Sequence, residues 1–143
     1  MKAILFCYLV VTLIISGCSQ QKSSKIEGAW RTVYIRGVSN DSVYYSFPDG
    51  NSKGQIKVWS KDHFSFTGEL KYGTFSDTYG AGTFKLNGTQ YEETLSYCYY
   101  KPYVGQTVKM TLEFKNDTLI QTSLEDNGKF DKSLYWLEKY VRY

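Results

Sequence analysis

Tyr91, Glu93, Leu95 and Tyr97 occupy alternate positions of one segment, so a β-strand would turn all four side chains to the same side. That side reads as the inner face of a sheet, where a carboxylate must be paired or have its pKa raised. An acid set among tyrosines offers ligand-orienting chemistry: flat apolar faces, hydroxyl tips and one anionic acceptor. Phe64 and Phe66, alternating in another segment, and Tyr79 in a third complete the candidate ligand wall with Tyr91, Glu93 and Tyr97. The competing reading of Glu93 is structural: a buried pair with Arg31 or Arg36, or a place at a rim. A phase slip of one residue would exchange its role with Glu92.

Other chemistry is sparse. The single histidine, His63, adjoins Asp62 and has no second His or Cys close by, which is too little for a zinc site; the pair reads as an exposed turn. Glu69, Glu93 and Glu113 lie on or near strand-like segments, and nothing in their spacing singles out a pair of glycosidase type. There is no Gly-x-Ser-x-Gly elbow, phosphate-cradling glycine loop, metal-spaced His cluster or Cys–His arrangement. The expectation is a protein without catalytic residues, metal or cofactor. Cys98, between Tyr97 and Tyr99, reads as a small packed strand residue and not as a reactive thiol.

The elements that must position these residues are strands. Trp30 to Arg36, Gln55 to Ser60, His63 to Thr67, Thr83 to Leu86, Tyr91 to Tyr99, Thr107 to Phe114, Leu119 to Leu124 and Leu134 to Arg142 are short and rich in aromatic and β-branched residues, with Val43 to Tyr45 a weaker run. Lys61-Asp62, Asn87-Gly88, Asn116-Asp117 and Asp126-Asn127-Gly128 supply tight turns between them. Ser46 to Gly54 and Lys71 to Gly82 read as longer loops, each either a lid or a floppy connection. No segment holds a helical apolar period of ten residues, although Asp131 to Tyr135 could hide one helical turn. About eight or nine short strands predict an all-β, antiparallel sandwich or up-and-down barrel. The 14 tyrosines, 8 phenylalanines and 3 tryptophans suit a β-rich core as well as a pocket.

The N-terminus has a different character. Lys2, an apolar run from Ile4 to Ile15 and the small residues Ser16-Gly17 have the anatomy of a secretory signal, and the run is shorter than the roughly 20 residues a bilayer span needs. Ile15-Ser16-Gly17-Cys18 resembles the lipobox of bacterial lipoproteins, which implies diacylation of Cys18 and cleavage before it. Residues 18–25 then read as a lipidated cysteine and a polar tether. Ser19 is not the aspartate that retains many such proteins in an inner membrane, so the resemblance implies an envelope protein, on the outer membrane if the host has one. Removing the first 17 of 143 residues leaves 126, one domain's worth, and a net charge of +2 from 16 basic and 14 acidic residues. That balance, without a basic run, argues against nucleic acid as a partner. Only Cys98 remains as a thiol, so no intrachain disulfide is expected.

Gly28-Ala29-Trp30 at the first strand, Arg142 near the end, and the intervening Ile56-Lys57-Val58-Trp59-Ser60, His63-Phe64-Ser65-Phe66 and Gly80-Ala81-Gly82-Thr83-Phe84 to Tyr97 together resemble the lipocalin-like domains of small bacterial lipoproteins. The resemblance spans residues 26–143 and implies a single calycin-type β-barrel of about eight strands. In such a barrel the Arg142 guanidinium would lie across Trp30 and plug the closed end. The family is largely uncharacterised, so the resemblance implies no known activity. The leading expectation is non-catalytic binding of a small apolar or glycan-like ligand. The rival is a barrel filled by its own aromatics that docks as a subunit of an envelope protein complex.

Overall fold

The computed structural model describes residues 24–72, 74–123 and 134–143; the signal segment, Cys18 and nearly all of the tether, and the expected turn at Asp126-Asn127-Gly128, lie outside the described residues. Nine antiparallel strands run in chain order: β1 (Gly28–Ser39), β2 (Ser42–Phe47), β3 (Gly54–Ser60), β4 (His63–Tyr72), β5 (Phe75–Asn87), β6 (Gln90–Cys98), β7 (Thr107–Lys115), β8 (Thr118–Ser123) and β9 (Leu134–Arg142). A short 3-10 turn, Lys101–Tyr103, links β6 to β7. Each strand from β3 to β8 pairs with its successor, and β9 returns to pair with β1. The result is a closed eight-stranded up-and-down barrel with β2 as an extra strand. Closure leaves no edge along the main wall.

β1 is long enough to take two partners along one edge. β3 pairs with Gly28 to Arg31 and β2 with Ile35 to Ser39, while β9 follows the opposite edge. The β1–β2 hairpin turns at Asn40-Asp41, both at positive φ (48° and 60°), the left-handed pair that matches strand twist. The β5–β6 turn falls on Gly88-Thr89, flanked by the Asn87–Gln90 pair. The stretch from Lys71 to Gly82, expected as a loop, is instead the end of β4 and most of β5. The other expected loop shrinks to residues 48–53, where Asp49 Oδ1 accepts the backbone N–H groups of Asn51 and Ser52 at 2.9 and 2.7 Å.

Two apolar clusters fill the barrel unequally. The larger packs one end with Ile26, Trp30, Trp59, Phe64, Tyr91 and Leu119 among others. The smaller, Ile35, Tyr45, Phe47 and Leu70 with Trp136 against it, lines the wall at the opposite end. At the closed end the Arg142 guanidinium carbon lies 4.1 Å above the Trp30 ring. Arg142 also donates to the carbonyls of Lys25, at 2.7 Å, and Glu27, while Trp30 Nε1 donates to Ile26 O at 2.8 Å. Gly28 sits at φ 119°, and a Cβ there would collide with the Arg142 guanidinium. The Gly-x-Trp spacing thus follows from what must pass over the ring.

Candidate functional site

The end opposite Trp30 is hollow. A cavity of about 250 Å³ runs from the middle of the barrel to its mouth. It exists because three strands step the same way, two residues at a time, from mouth to closed end. On β9 the sequence is Trp136, Glu138, Tyr140; on β6, Leu95, Glu93, Tyr91; on β3, Gln55, Lys57, Trp59. Large side chains fill the deepest step, and polar ones occupy the middle step and form a floor.

That floor is Lys57, Glu93, Gln121 and Glu138, all at most 7% exposed. Lys57 Nζ meets Glu93 Oε2 at 2.6 Å and donates to Gln121 Oε1 at 3.3 Å. It also lies 4.9–5.7 Å from the ring centres of Trp59, Phe64 and Tyr91, where the ring faces favour a cation. Beneath Glu93 a relay is anchored: Trp59 Nε1 donates to Tyr91 Oη, and Tyr91 donates to Glu93 Oε2, both at 2.9 Å. Glu138 has a matching tyrosine, with Tyr140 Oη donating to its Oε2 at 2.5 Å. Burial pushes both hydroxyls well above the usual tyrosine range, and the carboxylates beside them push further in the same direction.

The wall above the floor is aromatic and apolar, with Phe66, Leu95, Val108 and Met110 below Tyr99 and Tyr103. At the mouth Trp136 stacks on Tyr45, centroids 5.7 Å apart and planes at 10°. Gly37 lies behind that group, and a Cβ there would stand 2.8 Å from both Trp136 and Tyr44. Cys98 also lines the cavity, and burial raises its thiol pKa.

The residues expected to form a ligand wall divide three ways. Glu93 and Phe66 line the cavity. Tyr91 and Phe64 lie in the solid core beneath the floor, at 0% and 3% exposure. Tyr97 and Tyr79 do not face inward at all: they are 72% and 51% exposed on the outer wall. The reason for Tyr97 is a bulge. Ala81 pairs with Tyr97 but Gly82 pairs with Leu95, so Ser96 is an extra residue and the alternation inverts after Leu95. Tyr79 faces out because its neighbours Thr78 and Gly80 hold the inward positions of β5.

Glu93 is paired, with Lys57 and not with Arg31 or Arg36, both of which are exposed. Glu92 is its half-buried neighbour on the other face. Glu69 and Glu113 stay outside, Glu69 bound to Lys53 at 2.9 Å and Glu113 exposed. Asp62 and His63 form an exposed pair at 2.6 Å, which lowers the Asp62 pKa through its hydrogen bond. Sequence reasoning missed Lys57, Gln121 and Glu138. The signal available for Glu138 was its spacing: Tyr140 stands two residues from Glu138 as Tyr91 does from Glu93.

No protein-family model matches the chain, and no characterised protein matches it by sequence. Among solved structures, it is similar to a de novo designed fluorescence-activating β-barrel, at 12% identity and a TM-score of 0.42 over 82% of this chain and 93% of that one.

Proposed function

We propose that this protein is a non-catalytic binder that takes a small, partly apolar molecule into the open half of its barrel. The observation that carries the reading is the uneven filling: one end is solid aromatic core, and the other is a cavity of about 250 Å³ with aromatic walls and a polar floor. That volume equals about eight waters at ~30 Å³ each, so the ligand is smaller than a drug-sized molecule. Apolar walls with a few convergent polar groups are the usual composition of such sites.

The proposed setting is the cell envelope, with diacylated Cys18 as the anchor of a lipocalin-like lipoprotein. Lys25 meets the barrel at its closed end: its Nζ lies 4.2 Å from the Phe114 ring centre, and its carbonyl accepts from Arg142.

A docking role in an envelope complex draws on a different observation. Tyr97 at 72% exposure and Val58 at 38% flank a shallow cleft on the outer wall. Native mass spectrometry of the protein gently purified from its host separates the two. A retained small molecule that is lost or weakened in Leu95→Trp, which projects an indole into the cavity from its wall, is the expected result. A clean unliganded mass, together with a protein crosslinked through position 97 in the intact envelope, would replace the binding reading with docking.

A further inference from the structure

The charges in the cavity floor do not balance. Among the described residues, the buried ionisable acids and bases are one lysine, Lys57, and two carboxylates, Glu93 and Glu138. Lys57 is committed to Glu93 and Gln121 and is ringed by three aromatic faces, and it forms no ion pair with Glu138. Glu138 receives one hydrogen bond, from Tyr140 to Oε2. Its Oε1 has no donor among the described residues, and Glu138, a residue 7% exposed, lines the cavity. Tyr140 donates the one bond, so Glu138 accepts at Oε2 and presents Oε1 to the cavity. A buried carboxylate without a cation is costly, and a bound cation removes the cost.

Resting on the binding reading above, we propose that the ligand is a small monocationic amine with an aromatic-sized apolar body, its ammonium bound at Glu138. The ammonium supplies the second positive charge that the floor lacks, and its N–H groups find the open Oε1. The body then lies among Phe66, Leu95 and Tyr99 beneath the Trp136–Tyr45 stack. Other ligand classes fit less well. A carboxylate would meet two anions and one already engaged ammonium. A neutral polyol would leave the charge of Glu138 uncompensated and set hydroxyls against an apolar wall.

The test uses three probes with a common phenethyl body on the full chain in a nonionic detergent, followed by titration calorimetry and Trp fluorescence. Phenethylamine is the cation, phenethyl alcohol the neutral probe and 3-phenylpropionate the anion. The expected order is amine first, tighter than the alcohol by about tenfold or more, with the anion weakest. In Glu138→Gln the advantage of the amine over the alcohol should vanish. If the alcohol or the anion binds as well as the amine, the amine assignment is wrong and the cavity is still a binding site. If none of the three binds and the host-purified protein carries no ligand, the binding reading falls with it. The comparison on the unsubstituted chain decides the matter even if Glu138→Gln fails to fold.

Discussion

Replacing Lys57 with methionine probes the energetics of the floor, because methionine keeps most of the volume and removes the charge with its hydrogen bonds to Glu93 and Gln121. Lys57 is 3% exposed and its ammonium is 2.6 Å from Glu93. Removing one member of a buried ion pair costs about 3–5 kcal/mol, chiefly because the other charge is left unpaired. Glu93 keeps its hydrogen bond from Tyr91 at 2.9 Å and faces a cavity, so the lower end, about 3 kcal/mol, is expected. For a domain of this size that corresponds to a fall in Tm of roughly 10–15 °C. Lys57→Met, Glu93→Gln and the double substitution, unfolded in urea, form a double-mutant cycle. The double variant should be more stable than the sum of the single costs implies, by about 1.5 kcal/mol or more, since two neutral residues leave no stranded charge at the pair. Additivity within ~0.5 kcal/mol would refute the assignment of the floor as a coupled buried pair.

Tyr91→Phe should cost about 1–3 kcal/mol in the same assay, because it strands the buried Trp59 N–H and removes a donor from Glu93. Arg142→Ala should lower stability by about 1 kcal/mol through loss of the Trp30 contact and two carbonyl bonds, the Arg142 side chain being partly in water. Gly28→Ala should lower it further than an ordinary surface change, from both the positive φ and the collision with Arg142, and thermal denaturation reads both. The raised pKa values of Tyr91 and Tyr140 mean that these groups favour folding below the unfolded tyrosine pKa of about 10, and that this contribution is lost as pH climbs toward their folded values. A spectrophotometric titration at alkaline pH should therefore find at least two fewer tyrosinates in the folded chain than after denaturation, Tyr45 being raised by burial as well. Two full extra equivalents appearing before unfolding would contradict their placement.

The fold was legible because alternation is a local property. The hairpin signals at Lys61-Asp62 and Asn116-Asp117 and the strands around them coincide with β3–β4 and β7–β8. The site was less legible because which face of a strand turns inward is decided by partners. Periodicity alone would bury Ile56 and Val58, yet Val58 is 38% exposed and Lys57 takes the inner position between Gln55 and Trp59. No propensity scale places a lysine in a core; only the carboxylate across the barrel does. Tyr97 failed for a related reason. Its phase was read continuously from Tyr91, and the bulge at Ser96 depends on Gly82, where a Cβ would collide with the Thr94 carbonyl. A glycine on one strand thus reverses a tyrosine on the next, and nothing within β6 announces it.

A barrel of this size required only to fold would be better served by apolar residues at positions 57, 93, 121 and 138, since buried ion pairs are commonly no better than well-packed hydrophobic substitutes. Cys98 is a free, buried thiol, so no disulfide within the described residues offsets the cost. On the proposed binding reading the polar floor is a stability deficit that a ligand would repair, and that has a measurable consequence. A molecule that binds the folded barrel alone stabilises it by about 2.7 kcal/mol at a hundred times its Kd. Phenethylamine at that excess should raise Tm by roughly 8–14 °C in the unsubstituted chain. In Leu95→Trp, with an indole projecting into the cavity and the floor intact, the same concentration should raise Tm by clearly less. An equal rise in both would place the amine somewhere other than the cavity, and the floor would then be a feature of folding and not of binding.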